Sequence, residues 1–410
     1  MKLNPIITSL LETDQYKFNM GNVIFKQFNN YTTTWTFKCR NSDIKFTNEM
    51  VQEIKEQFDY YCTLRFSNDE LDWLKKTLPW LSEGYINYLK FWHPVREEVS
   101  INENGIIPYN NCGLSIEATG TWLNTSMYEI VLLAIINEVY FSFQYDMKKL
   151  FISYKTKLKD KINDLIHMNI CLGKFSEFGL RRRLSKNAQD YLIDQLIKAK
   201  IQNMTIGFIG TSNVYLAKKY NLKPVGTMAH EFIQCVGQGN PKHDKSYSNY
   251  FAMKAWTDEY KTVNGIYLTD CITTDCFLKD FDLTYANLFS GVRHDSGDPI
   301  EWGEKILSHY QKLNIDAKNK TLLFSDSLNF EKAQNIYNHF NNKCNVAFGI
   351  GTYLSNDTFV KPLNIVMKVT ECNHFPVAKL SDVEGKGMCR NNEYIDYLKR
   401  CIKWRIEHEI

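Results

Sequence analysis

The chain has 410 residues, 44% hydrophobic and 23% charged, with 49 Lys and Arg against 46 Asp and Glu for a formal net charge of +3. This composition excludes a disordered or fibrous protein, and so small a charge excess gives no electrostatic reason for a nucleic-acid coat. At ~150 residues per domain the length suggests about two or three domains, or one large α/β barrel with an accessory domain.

The eleven cysteines are odd in number and never spaced C-x-x-C. They argue against a disulfide framework or structural zinc and for a reduced, cytoplasmic setting. The longest aliphatic run, Ile130 to Ile136, ends at Asn137 and Glu138, short of the ~20 apolar residues of a membrane span. Glu12 and Asp14 interrupt any signal-peptide core. The expectation is a soluble cytoplasmic protein.

In chain order, residues 31–39 (YTTTWTFKC) read as a strand from their β-branched and aromatic content. Residues 51–58 and 68–84 read as helices, a turn falls around Asn102 to Gly105, and residues 114–120 form a second strand. Ser126 and Glu129 make a capping-box pattern ahead of a long apolar helix through residues 130–140. No Pro/Gly/Ser linker follows, and the division expected is an α+β N-terminal domain over 1–140 and an α/β domain over 141–410.

From about residue 170 the rhythm changes. β-rich runs near Phe175 and at 205–209, 225–228, 265–268, 289–292, 321–324, 346–349 and 363–369 alternate with helical windows such as 299–313 and 330–340. Such alternation means parallel strands. Seven or eight units suggest a closed or nearly closed barrel, with a doubly wound open sheet as the alternative.

Nearly every run ends in small or reactive residues: GTSN at 210–213, TMAHE at 227–231, Thr269 and Asp270, RHDSGD at 293–298, SDS at 325–327 and GIGT at 349–352. In a parallel barrel those ends share one face, the place of an active site. An enzyme is the expected class.

Gly349, Gly351 and Thr352, with Ser325 and Asp326 one unit earlier, can hold a phosphate through backbone amides and hydroxyls, although each is also an ordinary tight turn. Arg293 offers a planar fork to an anion, and Asp295 a carboxylate for sugar hydroxyls or magnesium-bound water. Asp298 and Pro299 are explained by a helix start alone. His230 at a strand end can act as base or as nucleophile toward a phosphoryl group, oriented by the adjacent Glu231. The run Arg181 to Arg183 reads by default as a solvated basic turn, though Arg181 at a strand mouth could reach an anion.

Taken together, the segments TDQYK (13–17), EFGLRRR (177–183), GTSN (210–213), VGTMAHE (225–231), LTD (268–270), RHDSGDP (293–299), FGIGT (348–352) and PVAKLSD (376–382) resemble the nicotinate phosphoribosyltransferase family of the bacterial type, nearly end to end. Ser327, Tyr353 and His374 depart from its pattern, where Gly, Asn and Gly are usual. The resemblance implies an irregular, incomplete (β/α) barrel with an N-terminal domain and a homodimer with sites at the interface. It implies a reaction joining nicotinate to phosphoribosyl pyrophosphate, coupled to ATP hydrolysis, with Mg2+ carried by the pyrophosphate and no dedicated metal site. It also implies that ATP phosphorylates His230. Asp270 and Asp295 would serve the histidine and ribose sides, and Arg181 and Arg293 the anions. Phe178 would stack on one face of the pyridine, and Tyr16 of the neighbouring subunit on the other. Ser212 would donate to the nicotinate carboxylate, at a position where the related nicotinamide enzymes look to have Asp.

Overall fold

The computed structural model describes residues 3–103, 112–167, 170–383 and 387–408. Its strands are β1 Thr32–Cys39, β2 Val99–Glu103, β3 Leu114–Thr121, β4 Lys174–Glu177, β5 Phe208–Thr211, β6 Ile266–Leu268, β7 Gly291–His294, β8 Thr321–Phe324, β9 Asn345–Ile350, β10 Ile365–Cys372 and β11 Phe375–Pro376. They form two sheets. One is antiparallel in the order β11-β10-β1-β3-β2, and the other pairs β5-β4-β9-β8-β7-β6, with its recorded pairings parallel. The fold is therefore α/β with a separate antiparallel sheet.

The parallel sheet has six strands, not the seven or eight expected, and its edge strands β5 and β6 are not paired with each other among the described residues. Two runs account for the difference. Residues 225–228 form no strand: Val225 N donates to Thr211 O (3.0 Å), but the segment then turns away beside the N-terminal helix Gln15–Gln27. Residues 363–369 enter the other sheet, where β10 pairs with β1 in the register Trp35↔Val369 and Phe37↔Met367. Their alternating apolar content could not say which sheet would take them. The antiparallel sheet thus draws strands from both sides of residue 140.

The expected helix at 68–84 is two helices, Asn68–Thr77 and Glu83–Phe91. Pro79 disfavours the helical conformation of the residue before it, and Ser82 starts the second helix by accepting from Tyr85 N. The Gly105 end of the expected turn lies outside the described residues. Helix Tyr128–Gln144 is buried almost all round and packs against helix Asn48–Thr63. The 23-residue stretch Trp122–Gln144 is, contrary to the reading of its aliphatic run, long and apolar enough to cross a membrane, yet 83% of its window is buried inside the fold. The expected capping box is absent: Ser126 Oγ instead donates to Glu231 Oε1 (2.5 Å), and Glu129 Oε2 accepts from Lys17 Nζ (2.8 Å).

Candidate active site

A cleft of about 560 Å3 opens where the ends of β4, β5, β7, β8 and β9 meet the N-terminal helix and β10. Every expected site residue lines it except Asp270, which lies buried behind His230.

The β4 end sets one wall. Phe178 N donates to Ile350 O (2.8 Å), and Gly179 N donates to Glu177 Oε1 (2.6 Å), which tightens the turn that presents Arg181. A Cβ at Gly349 would overlap Phe178 Cδ2, so this glycine makes room for the aromatic ring as well as for any phosphate. The Arg181 side chain is 43% exposed into the cleft and lies 3.8 Å from Glu129 Oε1. Its neighbours are not a solvated run. Arg182 Nη2 donates to Ile365 O (3.0 Å), and Arg183 is buried against Glu12 (3.1 Å).

At the β5 end, Ser212 Oγ lies 2.7 Å from Asp14 Oδ1. Its proton is therefore already engaged when Asp14 is ionised, which the sequence did not reveal. Burial pushes the Asp14 carboxyl up to about 6. Two residues on, Tyr16 lines the same cleft as Phe178 within a single chain, where the resemblance implied the Tyr16 of a neighbouring subunit. Gly226 permits this, since a Cβ there would collide with Gln15 Oε1 and with Tyr16 N.

His230 begins helix His230–Gln238 and is not at a strand end. Its orienting carboxylate is Asp270, with Nε2 to Oδ1 at 2.8 Å, and not Glu231. Glu231 turns the other way, to Lys17 Nζ (2.5 Å) and Ser126, so it braces the cleft floor and does not touch the imidazole. Adjacent helical residues point in directions ~100° apart, which sequence adjacency conceals. Asp270 Oδ2 also accepts from Lys379 Nζ (2.9 Å) and from Ser296 Oγ (2.6 Å). Its carboxyl is held well below the usual range by His230 and Lys379 despite burial. Burial and the Lys379 charge press His230 down to about 4, so the imidazole is neutral near pH 7.

Asp295 Oδ2 lies 3.6 Å from His230 Nε2 and 3.7 Å from Lys379 Nζ, and Ser325 Oγ donates to Asp295 Oδ1 (3.1 Å). Ser325 thus steadies this carboxylate. Arg293 Nη1 donates to Thr227 Oγ1 and to Met228 O (2.8 Å), while its buried Nε has no hydrogen-bond partner. Ser327 keeps the left-handed conformation that favours glycine (φ 50°). His374 also has positive φ (66°) but lies in the β10–β11 hairpin turn, outside the cleft lining, so its departure does not touch the ligand loops. Tyr353 lines the cleft with its ring under Lys161 Nζ (3.7 Å to the centroid).

Asp14, Lys17, Glu129, Arg40, Lys368 and Lys379 were missed as site residues. The PVAKLSD segment carried the signal for Lys379, whereas Lys368 sits inside a strand and Arg40 just after one, with nothing local to mark them. Arg40, Arg182 and Lys368 make a basic wall. Burial first, and then Lys379, Arg40 and Arg181, bring the Lys368 ammonium down to about 7. Positive charge crowded into a closed site stores affinity for an anion.

Donor atoms of His230, Asp270 and Asp295 lie within 4.8 Å of one another, a spacing that could hold a metal ion. The Lys379 ammonium already sits between the two carboxylates. Its charge would oppose a second cation, so these residues do not fit a resident divalent metal.

Comparison with known proteins gives a consistent family. The model of the nicotinate phosphoribosyltransferase (NAPRTase) N-terminal domain matches residues 11–137, and that of the NAPRTase family matches residues 173–404. A nicotinate phosphoribosyltransferase of Chromobacterium violaceum is 40% identical over 409 residues, covering 98% of each chain. The crystal structure of the Porphyromonas gingivalis nicotinate phosphoribosyltransferase superposes with a TM-score of 0.86 at 34% identity, covering 97% of this chain and 100% of that one. The Vibrio cholerae structure of the same description gives 0.88 at 32% identity, covering 97% and 94%.

Proposed function

The chain belongs to the nicotinate phosphoribosyltransferase family, and on that premise we propose how its cleft joins nicotinate to phosphoribosyl pyrophosphate, a step of NAD biosynthesis that yields nicotinate mononucleotide and pyrophosphate. The pyridine ring lies between Phe178 and Tyr16, with its carboxylate toward Arg181, Arg293 and Ser212. Arg293 lines the cleft and brings its positive charge to that anion. Ser325, Asp326, Gly349, Gly351 and Thr352 take the ribose phosphate, and Arg40, Arg182 and Lys368 face the pyrophosphate.

Displacing pyrophosphate from the anomeric carbon builds positive charge on the ribose. Asp295, whose carboxyl is held below its ordinary value chiefly by Lys379 and Arg293 against burial, stabilises that charge as it develops. Magnesium enters on the pyrophosphate as part of the substrate and neutralises the leaving group.

ATP acts through His230. Because Asp270 accepts at Nε2, the neutral ring keeps its proton there and presents the Nδ1 lone pair. Nδ1 attacks the γ-phosphorus, the bond to ADP breaks, and water later cleaves the phosphohistidine to phosphate. The six parallel strands, whose edge strands β5 and β6 are not paired with each other among the described residues, fit an incomplete barrel. Two chains would pair as a homodimer, with Tyr16 supplied by its own chain.

The observation that carries this reading is the one cleft holding an Asp270-oriented neutral His230 together with Arg181, Arg293, Phe178 and Tyr16. The test incubates the protein with nicotinate, phosphoribosyl pyrophosphate and magnesium, with and without ATP. Nicotinate mononucleotide should form in both, faster with ATP. Absence of product in both would overturn the reading.

A further inference from the structure

We propose that Asp14 sets the hydrogen-bond polarity of Ser212 and thereby makes the choice between nicotinate and nicotinamide depend on a proton. The proposal rests on the reading that Ser212 meets the substituent of the pyridine ring.

A serine hydroxyl has one proton to give. Ser212 Oγ and Asp14 Oδ1 are 2.7 Å apart, both residues line the cleft, and both are buried. An ionised Asp14 only accepts, so the Ser212 proton points at it and the serine offers the cleft its lone pairs. Lone pairs suit the N–H of an amide and repel a carboxylate. A protonated Asp14 donates to Ser212 Oγ instead, and the hydroxyl proton turns toward the cleft, where it suits a carboxylate. Nicotinate therefore binds the form carrying one more proton, taken from solvent on binding; no other bond changes.

The surroundings leave this balance close. Arg181 from the turn after β4 and Lys17 from the helix after Asp14 favour the carboxylate, while Glu129 from helix Tyr128–Gln144 opposes it. The Tyr16 hydroxyl and the Glu177 carboxyl also face the group. Burial outweighs these and holds the acid at about 6, near enough to neutrality for a ligand charge to tip it. A carboxylate arriving beside Ser212 pushes the same way.

Asp14 caps helix Gln15–Gln27 by position only, with no side-chain bond to its amides, so Asp14→Asn removes the titration without uncapping the helix. The asparagine amide donates to Ser212 Oγ at every pH, imitating the protonated acid. The experiment measures kcat/KM for nicotinate and for nicotinamide from about pH 6 to 9. Their ratio cancels titrations shared by both bases, His230 included. In the wild type the ratio should fall with pH, approaching tenfold per unit as for one linked proton, and in Asp14→Asn it should be flat. Where nicotinamide turnover is too slow to measure, calorimetry of nicotinate binding at about pH 8, in buffers of different ionisation enthalpy, reads the proton directly. The wild type should take up about one proton and Asp14→Asn none. A flat wild-type ratio, no proton uptake, or a slope that survives Asp14→Asn overturns the proposal. Ser212→Ala separates the two layers. At about pH 6, where Asp14 is half protonated, it should lower kcat/KM for nicotinate by roughly fivefold or more, and across the range it should abolish the slope. A lowered value with the slope intact overturns the proton switch alone. Unchanged values for both bases overturn the switch together with the placement of the pyridine at Ser212.

Discussion

His230 Nε2 and Asp270 Oδ1 are 2.8 Å apart, and the same carboxylate binds Lys379 through its other oxygen at 2.9 Å. One buried anion therefore fixes the imidazole tautomer and anchors the cation that keeps the imidazole neutral. Asp270→Asn preserves size but can donate to Nε2, which moves the ring proton to Nδ1. ATP hydrolysis should fall roughly 10²–10⁴-fold, with ATP-independent synthesis of the mononucleotide retained in part. Steady-state ATPase on the folded variant checks this, and near-normal hydrolysis would refute the tautomer argument.

His230→Ala should abolish ATP hydrolysis and the gain in turnover that ATP brings, and leave some synthesis without ATP. Unchanged ATPase would remove His230 from the phosphoryl path.

Lys379 lowers the affinity of His230 for a proton, second only to burial, while Asp270 and Asp295 raise it. A depressed value of about 4 means that the neutral ring survives acidification and is lost only as pH falls through that value. Lys379→Met removes a lowering influence, so the acid limb of the ATPase profile should move up by roughly 1–3 pH units. The position of the limb is the readout, whatever the loss in kcat. A downward shift would contradict the charge arrangement.

Gly349→Ala should drive its new methyl into the Phe178 ring. The expected result is a raised KM for nicotinate with little change in that for phosphoribosyl pyrophosphate, and a stability loss of about 1–3 kcal/mol from overpacking. Denaturant titration and paired KM measurements check both parts. Equal effects on the two substrates would mean that the glycine serves the phosphate alone.

Tyr16 and Phe178 line one cleft within one chain. Tyr16→Ala should raise the nicotinate KM by the ~0.5–1.5 kcal/mol of an aromatic contact beyond its area. Co-expressed Tyr16→Ala and Phe178→Ala chains should not restore activity to each other. Restoration toward one quarter of the sites, roughly the statistical share for a shared site in a mixed dimer, would return Tyr16 to the partner subunit.

Arg405 of the C-terminal helix Asn392–His408 is 3% exposed and meets Asp280 at 2.6 Å. Arg405→Met leaves that buried carboxylate without its guanidinium, a loss of about 3–5 kcal/mol. A fall in the urea midpoint with an unchanged nicotinate KM is expected, because the pair stands apart from the cleft lining.

Local chemistry in the sequence was enough for the α/β class, for helices such as Phe330–Phe340, and for the four strand-end clusters at 210–213, 293–298, 325–327 and 349–352 that meet in one cleft. Strand ends fall where apolar runs stop, and that boundary is written in a few neighbouring residues. The ordered motifs carried the family as well. What local pattern could not hold was direction and partnership. Nothing in residues 363–369 distinguishes a parallel barrel strand from the partner that β1 takes 330 residues away in the chain, since both want the same alternating apolar surface. His230 and Glu231 are adjacent in sequence, yet the helix turns one toward Asp270 and the other toward Lys17. The sequence singled out Arg181 of the three arginines at 181–183, but only packing shows that Arg183 is buried against Glu12 and that Arg182 joins Arg181 at the cleft while donating to Ile365 O. Asp14 became part of the site only because Gly226 lets the amino-terminal helix close against the β5 end. Such long-range contacts carry the electrostatics of the site, because charges act through space and burial while the chain specifies only order.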